Sequence, residues 1–352
     1  MLKKILIVAG ILLLGIIAYL IKTYSDAGEF KTLKPHFDGT VKQIHDIIGG
    51  EDITIDHEKR IAYISADDRY SSFQGKKGFG GIYRLQLDSP DAKPMLLHRL
   101  PEKEIHPHGI SYYKSPEGQS FLFVVDHTDR KHSILLFRFK DDSTIVQGRS
   151  YRDSTFIVSP NDVVAVDENR FYFTNDHGSP THKGRNFEDY LQLKRANTVF
   201  FDGKNYSIAA KRIGYANGIN LSRDKRELYV AATIGKSILV YERDTTTGQL
   251  ALKNEISLDT GVDNIEVDEN GNLWVACHPK LLTFVKHAND TSKLAPSQVF
   301  KISRDENGNF TSKEIYLNPG EQISASSVAA VTGNILLIGP VLDGNILWCE
   351  MK

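Results

Sequence analysis

Five side chains with oxygen donors lie at the starts of apolar segments that are spread along most of the chain. They are Glu51, Asn161, Asn217, Asp263 and Asn264. Calcium takes about six to eight oxygen ligands in proteins, whereas zinc prefers histidine and cysteine. A fold that brought these side chains together would therefore form a calcium site. A single Asn or Asp in front of a strand more often caps a turn, so the prediction depends on their repetition.

Several of these residues have a second polar residue beside them. The doublets are Glu51-Asp52, Asn161-Asp162 and Asp263-Asn264. Neighbouring residues of a β-strand point to opposite faces. One member of a doublet could then face a shared channel, while the other binds a second, more buried cation or caps a turn.

Histidines form a second set of candidate residues. His108 opens one apolar segment, and His127, His177 and His278 follow the ends of others. A histidine near a polarised carbonyl can act as a general base, because its pKa lies near neutral pH. We predict that His108 and His127 act as a pair, although a lone histidine at a strand end is more often structural. The sequence has no G-x-S-x-G motif, which disfavours a serine hydrolase.

The elements that must position these side chains are short β-strands. After residue 50 the chain reads as β throughout, and Asp, Asn and Gly turns separate its apolar runs. Six units share one pattern of polar residue, apolar strand, turn and second strand. Their leading polar residues are Glu51, His108, Asn161, Asn217, Asn264 and Ser326, separated by 57, 53, 56, 47 and 62 residues. Repeats of about 40–50 residues are typical of propeller blades, so we predict an all-β, six-bladed β-propeller over residues 26–352. A β-sandwich is the alternative.

Two stretches lack this strand pattern. Residues 67–81 are rich in Ser, Gly and Lys, and residues 176–196 are polar, with a possible short amphipathic helix at 186–193. Long loops on propellers often build or cover binding sites. We expect both stretches to be such loops.

The N-terminus differs from the rest of the chain. Lys3 and Lys4 precede an uncharged apolar run at residues 5–21, whose 17 residues would span about 25 Å as a helix. We predict a membrane anchor at residues 1–25, with residues 5–21 in the lipid bilayer. The lysines would stay on the cytoplasmic side and the propeller outside it. A cleaved signal peptide, which would give a secreted protein, is the alternative.

Charge and cysteine content exclude some classes of protein. The 43 basic and 44 acidic residues give a net charge of −1, which argues against a nucleic-acid partner. The two cysteines, Cys277 and Cys349, exclude a disulfide framework. Whether these two cysteines pair with each other stays open.

The motifs taken together resemble a known family, the calcium-dependent lactonases of the paraoxonase/arylesterase type. The similarity runs in order from about residue 30 to the C-terminus. Its motifs are Gly50-Glu51-Asp52, Pro107-His108-Gly109-Ile110-Ser111, Asn161-Asp162-Val163-Val164-Ala165-Val166, Ala216-Asn217-Gly218-Ile219-Asn220, Val262-Asp263-Asn264-Ile265, Trp274-Val275-Ala276-Cys277-His278-Pro279 and Leu347-Trp348-Cys349-Glu350. Each motif is weak alone, but their common order is specific.

The resemblance implies two calcium ions, one catalytic and one structural. The catalytic ion would be held by Glu51, Asn161, Asn217, Asp263 and Asn264. The structural ion would be held by Asp52, Asp162 and the backbone carbonyl of Ile110. His108 would act as the base on water with help from His127, His278 would line the substrate pocket, and Tyr70 would lie on a mobile loop above it.

The chain departs from the family at the closure of the ring. Mammalian members join an N-terminal cysteine to the one near the C-terminus. Here Cys349 is present, but residues 25–50 contain no cysteine, and the matching position is about Thr40. Ring closure should therefore depend on strand pairing between the two termini.

The resemblance implies a hydrolase that opens lactones and cleaves aryl esters. Three alternatives remain open. They are a sugar lactonase of the gluconolactonase type, a propeller that binds a partner without catalysis, and a condensing enzyme like strictosidine synthase. Pocket shape and substrate preference do not carry over, because the loop at residues 176–196 diverges from the family.

Overall fold

The computed structural model of the chain describes residues 1–100, 103–128 and 131–352. Four helices lie among these residues: α1 (Leu2–Asp26), α2 (Arg69–Phe73), α3 (His182–Tyr190) and α4 (Leu281–Asn289). The described strands form six sheets. Strands β1 (His36–Phe37) and β2 (Gly39–His45) come first in the chain and join the outer edges of the last two sheets.

Each sheet is an antiparallel meander of consecutive strands, extended in three cases by a strand from elsewhere in the chain. The first sheet is β3 (Gly50–Asp56), β4 (Ile61–Asp67), β5 (Gly80–Gln86) and β6 (Met95–Leu96). The second is β8 (Pro107–Lys114), β9 (Ser120–Asp126), β10 (Ser133–Asp141) and β11 (Thr144–Tyr151), with β7 (His98–Leu100) parallel to β11. The third is β12 (Pro160–Ala165), β13 (Phe171–Asn175), β14 (Ala196–Phe201) and β15 (Tyr206–Ile213).

The other three sheets repeat this arrangement. The fourth is β16 (Ala216–Leu221), β17 (Glu227–Ala232), β18 (Ser237–Arg243) and β19 (Leu250–Ser257). The fifth is β20 (Gly261–Val267), β21 (Leu273–His278), β22 (Ser297–Arg304) and β23 (Phe310–Asn318), with β1 at its edge. The sixth is β24 (Ser326–Thr332), β25 (Ile335–Pro340) and β26 (Asn345–Met351), with β2 at its edge.

The first strand of each meander lies innermost. Each of β3, β8, β12, β16 and β20 packs against the innermost strand of the next sheet, and β24 returns to β3. Among the described residues, the buried apolar side chains form six clusters, each between two neighbouring sheets. Ile53 of the first sheet, for example, packs in one cluster with Trp348 of the sixth. The predicted six-bladed β-propeller with an N-terminal hydrophobic helix is confirmed.

Strand pairing between the two ends of the chain closes the ring. All seven residues of β2 pair with β26, from Gly39 opposite Met351 to His45 opposite Asn345. Val41 lies opposite Cys349, whereas Thr40 lies opposite Glu350. The position that faces the C-terminal cysteine is therefore Val41, one residue beyond the predicted one. Cys277 and Cys349 are both buried and free of disulfides.

Every innermost strand changes its pairing register near its start. The shifts lie between Gly50 and Asp52, Pro107 and Ile110, Pro160 and Val163, Ala216 and Ile219, Val262 and Ile265, and Ser326 and Val328. A bulge leaves residues unpaired and turns the strand locally. Glu51, Asn161, Asn217, Asp263 and Asn264 are among the unpaired residues, so the simple alternation of faces assumed for the doublets is broken there.

Helix α1 stands apart from the propeller core. None of its 25 residues is buried, and its apolar window has a mean hydropathy of 2.7. It is long and apolar enough to cross a membrane. Its Tyr19 hydroxyl donates a hydrogen bond to the carbonyl of Tyr190 at the end of α3, 2.7 Å away.

Three helices interrupt the β structure after residue 50, and only α4 lies outside the two stretches that the sequence analysis set apart. Helix α2 occupies part of the loop at 67–81, and α3 begins four residues before the predicted helix and ends at Tyr190. Thr181 explains that start, because its hydroxyl accepts the amide of Gly184 at 3.2 Å as an N-cap. Helix α4 was not predicted, because a short apolar run such as Leu281-Leu282 fits a buried strand equally well.

Candidate functional site

Four of the predicted metal-binding side chains lie on innermost strands. Each has one oxygen that makes no hydrogen bond in the described part of the chain. Glu51 Oε2 and the Oδ1 atoms of Asn161, Asn217 and Asn264 are buried, and none has a hydrogen-bond partner within the described residues. Leaving a buried acceptor unsatisfied costs about 1–3 kcal/mol. Four such oxygens near the starts of the innermost strands of four blades are ligands of the kind that a hard cation takes.

Hydrogen bonds fix the orientation of these side chains. Asn264 Nδ2 donates to Glu51 Oε1 at 3.0 Å, and the Ser327 hydroxyl donates to the same oxygen at 2.8 Å. Asn217 Nδ2 donates to the Thr233 hydroxyl at 3.1 Å. The amide nitrogens therefore bind protein atoms, and the amide oxygens stay available.

Asp263 lies beside Asn264 in β20, and its carboxylate contacts a histidine. His278 Nε2 lies 2.7 Å from Asp263 Oδ2, and both residues are buried. The ring of Phe284, on α4, stacks on the His278 ring with centroids 4.2 Å apart. Burial raises the pKa of Asp263, and the bond to His278 opposes that rise. His278 thus orients a candidate ligand.

The carboxylates of Asp52 and Asp162 form a second set of candidate ligands. Each of them connects two neighbouring innermost strands. Asp52 Oδ2 accepts the amide of Ile110 at 2.7 Å, and Asp162 Oδ2 accepts the amide of Ile219 at 2.7 Å. The other oxygen of each carboxylate accepts the amide of the following residue. All four carboxylate oxygens therefore have a donor, unlike the oxygens of the first set.

Ionisation of Asp52 and Asp162 costs free energy, because both carboxylates are buried near other negative charges. Burial, and then the charge of Glu51, raise the pKa of Asp52 to about 8. Burial and the charge of Asp52 raise the pKa of Asp162 well above its ordinary value. A divalent cation beside both carboxylates would favour their ionised forms.

The two donor sets fit calcium better than a transition metal. In the part of the chain that the structure describes, no three His, Cys, Asp or Glu side chains form a metal-binding cluster. The first set consists of the carboxylates of Glu51 and Asp263 and the amide oxygens of three asparagines, which suits calcium. The fit is strong at the first set and weaker at the second, where backbone amides already satisfy the oxygens.

The predicted histidine pair is in contact. The His108 and His127 rings lie 5.2 Å apart between centroids, edge to face, and His108 Nε2 is 3.7 Å from Glu51 Oε1. His108 Nδ1 is buried and finds no hydrogen-bond partner in the described chain. The hydrogen bond of His127 goes instead to His132, with 2.8 Å between the two Nδ1 atoms. Burial lowers the pKa of His108 and, more strongly, that of His127.

Arg69 is a site residue that the sequence analysis missed. Its buried guanidinium lies 4.0 Å from Glu51 Oε2 and donates to the carbonyls of Gly49 and Pro107 at 2.9 and 2.8 Å. Burial opposes ionisation of Glu51, but the charges of His108 and Arg69 hold its pKa below the ordinary value. Tyr70, half-buried, is the next residue of α2, so the predicted loop residue lies beside this contact.

A further cluster surrounds His177, a histidine that the sequence analysis named without its partners. Its Nδ1 lies 2.7 Å from Asp176 Oδ1 and its Nε2 lies 2.9 Å from Asp189 Oδ1 on α3. Tyr215 packs against the ring, with centroids 4.9 Å apart. Burial alone would lower the pKa of His177, but its bonds to the two aspartates raise it to about 9. The imidazolium therefore ties α3 to the propeller.

Two motif glycines allow neighbouring strands to approach closely. A Cβ on Gly109 would lie 2.3 Å from Asp162 Oδ1, and one on Gly218 would lie 2.6 Å from the Cα of Asn264. Atoms cannot approach so closely without displacement. These contacts explain why a glycine follows both His108 and Asn217 in the sequence.

The segment after α1 holds α4 in place. Glu29 accepts hydrogen bonds from the amide and the hydroxyl of Thr283 at 3.0 and 2.7 Å, and the Leu281 amide donates to the Ala27 carbonyl at 2.9 Å. The Glu29 carboxylate thus satisfies the Thr283 amide at the positive end of the helix dipole. It fixes the helix that carries Phe284.

Comparison with known proteins matches nearly the whole propeller to one family. A family model described as Arylesterase matches residues 29–351. Human serum paraoxonase/arylesterase 2 is 33% identical over 279 residues, which is 77% of each chain. The chicken protein of the same name is 33% identical over 313 residues, and human serum paraoxonase/arylesterase 1 is 30% identical over 313, in both cases 86% of each chain.

Solved structures that share the fold are more distant in sequence. A luciferin-regenerating enzyme aligns with a TM-score of 0.54 at 16% identity, covering 89% of this chain and 97% of its own. A putative gluconolactonase gives 0.54 at 12%, covering 91% and 98%. Regucalcin from Agrobacterium tumefaciens, a calcium-binding protein, gives 0.52 at 15%, covering 90% and 96%. These similarities support the fold alone.

Proposed function

We propose that this chain, which belongs to the arylesterase family, is a calcium-dependent hydrolase that opens lactones and cleaves aryl esters. Membership follows from the match over residues 29–351 and from relatives of 30–33% identity, so the predicted resemblance is confirmed. The four buried, unpartnered oxygens are the observation that supports the metal-dependent part.

Two groups of residues would hold the metal. We propose that Glu51, Asn161, Asn217, Asp263 and Asn264 hold a catalytic calcium. Calcium there would polarise the ester carbonyl and stabilise the oxyanion that forms.

A second, structural calcium is proposed at the buried carboxylate pair. Asp52, Asp162 and the backbone carbonyl of Ile110 would hold it. The raised pKa of both carboxylates supports a cation there, because it would compensate two charges that burial destabilises.

His108 supplies the base in this proposal. Burial lowers its pKa although the charge of Glu51 opposes this shift, which favours the neutral imidazole that can accept a proton from water. Its Nε2 lies 3.7 Å from Oε1 of Glu51, a proposed metal ligand, which supports this role. His127 supports the ring of His108 from the side.

His278 and Tyr70 are proposed to line the substrate pocket. His278 lies beside Asp263 and is stacked by Phe284. Tyr70 lies in α2, within the loop at residues 67–81. Both positions agree with roles in holding the substrate rather than in breaking its bond.

Activity and calcium binding should be lost together. Asn161→Ala removes one ligand oxygen, and we expect calcium affinity and kcat/KM to fall by about tenfold or more each, since an oxygen donor is worth at least 1–2 kcal/mol. The measurement is calcium titration calorimetry alongside hydrolysis of a lactone, with and without EGTA. Asn254→Ala, at an exposed position of β19, is the matched control.

One variant would contradict the metal mechanism. Full lactonase activity of an Asn217→Ala/Asp263→Ala protein in EGTA would show that calcium at this site is not needed. A panel of acyl-homoserine lactones, aryl esters and aldonolactones then separates this function from a sugar lactonase. Calcium binding without turnover of any of these would instead support a non-catalytic propeller.

We further propose that α1 anchors the propeller to a membrane through residues 5–21. Its exposed, apolar surface supports this, and Lys3 and Lys4 would hold the N-terminus in the cytoplasm. Protease treatment of intact cells should then digest the propeller. Retention of the chain in the membrane fraction after an alkaline wash, with an intact N-terminus, separates an anchor from a cleaved signal peptide.

A further inference from the structure

We propose that His132 is a third histidine of the active site, which passes the proton released in each turnover from His127 toward solvent. The inference rests on the proposed hydrolase function and concerns the same site. It starts from one hydrogen bond, the 2.8 Å contact between the Nδ1 atoms of His127 and His132.

Ester hydrolysis by water requires a path for a proton. The water oxygen forms a bond to the carbonyl carbon, and the bond from that carbon to the leaving oxygen breaks. One hydrogen of the water ends on the leaving alcohol. The other is released when the new carboxylic acid ionises, so at neutral pH one proton must leave the site in every turnover.

Three imidazoles lie in series from the candidate metal site outward. His108 approaches Glu51, its ring touches His127, and His127 bonds to His132. The His127 and His132 rings are nearly perpendicular, at 88°, with centroids 4.9 Å apart. His132 keeps part of its surface exposed to solvent, so it can exchange a proton with water.

The ends of a β-hairpin bring the two outer histidines together. Asp126 at the end of β9 pairs with Ser133 at the start of β10. His127 and His132 each lie one residue beyond this pair, so they face each other across the mouth of the hairpin. Each strand thereby helps to fix one partner of the hydrogen bond.

The surroundings keep His132 neutral and able to accept a proton. Burial lowers its pKa, and Arg185 of α3 and the His108 ring act in the same direction. Asp176 and Asp126 oppose them. Burial, together with His108 and His132, lowers the pKa of His127 well below the ordinary value. A proton that reaches His127 is therefore unstable there and should move on to His132 through the shared hydrogen bond.

The experiment compares two His132 variants. They differ in whether an added base can take the place of the lost imidazole. His132→Gln keeps a hydrogen-bonding side chain but cannot carry a proton, and His132→Ala also leaves space for a small base. We expect both to lower kcat by about tenfold at neutral pH, below the full effect of a general base. Added imidazole at constant pH should restore His132→Ala in proportion to its concentration and leave the wild type unchanged.

His45→Gln, at an exposed position of β2, controls for the loss of one histidine and should match the wild type. Thermal unfolding of each variant separates a folding defect from a lost proton path. A His132→Gln protein with the wild-type kcat and pH profile would overturn the proposal. A loss in His132→Ala that imidazole leaves unchanged at every concentration would also overturn it.

Two further variants distinguish the proton path from the proposed catalytic pair. If His127→Gln is inactive while His132→Gln is fully active, only the role of His132 is wrong. If His108→Gln and His127→Gln both keep full activity, the catalytic pair itself is wrong, and the proton path falls with it.

Discussion

Asparagine suits the axis of this propeller because one planar group carries both a donor and an acceptor. Asn217 and Asn264 each use the nitrogen to bind the protein and leave the oxygen buried and unpaired. An aspartate at each position would add negative charge to a channel that already holds Glu51, Asp52 and Asp263. In the proposed calcium site, amide side chains would therefore offer oxygens to a cation while limiting the repulsion between buried carboxylates.

His177 makes stability depend on pH in a defined direction. Its pKa is raised from 6.5 to about 9 by Asp176 and Asp189, against the effect of burial. Its contribution is therefore fully present below about pH 6.5 and is lost as the pH rises through about 9. We expect His177→Gln to cost roughly 2 kcal/mol at pH 6 and almost nothing at pH 10, since Asp189 is partly exposed to solvent.

The measurement is the free energy of unfolding of both proteins in urea from pH 6 to pH 10. Taking the difference between the two proteins removes the contributions of the other titrating groups. His182→Gln, at an exposed position on α3, is the matched control. A difference between wild type and His177→Gln that stays constant over this range would contradict the assignment.

The innermost strands place the site through their bulges and close contacts. The register shifts near the starts of β8 and β16 leave His108 and Asn217 unpaired, and the glycine after each of them lets the next strand approach. Local sequence supplies the residue types, but the neighbouring blade decides which of them must be glycine. The site is therefore shaped by contacts between blades as much as by any one strand.

Gly109→Ala should disturb this arrangement. Its Cβ would lie 2.3 Å from Asp162 Oδ1 and 2.4 Å from the Cα of the same residue. We expect a loss of about 1–3 kcal/mol of unfolding free energy, because backbone must shift to relieve the overlap, together with lower calcium affinity. Chemical denaturation and calcium titration measure the two effects.

Gly148→Ala provides the control for this change, because a Cβ there meets only the Leu136 carbonyl, at 3.4 Å. It also lies in a strand, β11, so the substitution is of the same kind. Equal stabilities of the two alanine variants would show that close approach of the inner strands is not the constraint.

Ring closure involves the whole molecule, because β2 and β26 lie at opposite ends of the chain. Val41 faces Cys349 across this pair, and both pack in the same apolar cluster. Directly opposed residues of antiparallel strands have Cα atoms about 4.5–5.5 Å apart, which is within the range of a disulfide. The two ends of the ring can therefore be joined covalently at this position.

Val41→Cys should form a disulfide with Cys349 and raise the unfolding temperature in oxidising buffer. The expected gain is about 2–4 kcal/mol, because the crosslink restricts the unfolded chain. Comparing the oxidised and reduced forms of the same variant isolates the crosslink from the substitution. Thr40→Cys is the control, since Thr40 pairs with Glu350 and its side chain points to the other face. A disulfide in that control, or no shift in Val41→Cys on oxidation, would show that the register is different.

The sequence by itself determined the fold and predicted the candidate site residues. Strand periodicity and turn residues are local properties, so six repeats could be counted from their leading polar residues. The order of the motifs indicated the family, and the recurrence of Glu51, Asn161, Asn217 and Asn264 indicated one shared channel. The innermost strands carry all of these residues.

Only the tertiary structure decided what depends on contacts between distant segments. Arg69, in the helix between β4 and β5, lies near Glu51. His132 contacts His127 across a hairpin, and Glu29 binds α4 although it lies far from that helix in the sequence. The register that places Val41 opposite Cys349 is likewise a property of the closed ring. None of these has a local signal, because each depends on which surfaces pack together once the six blades have closed.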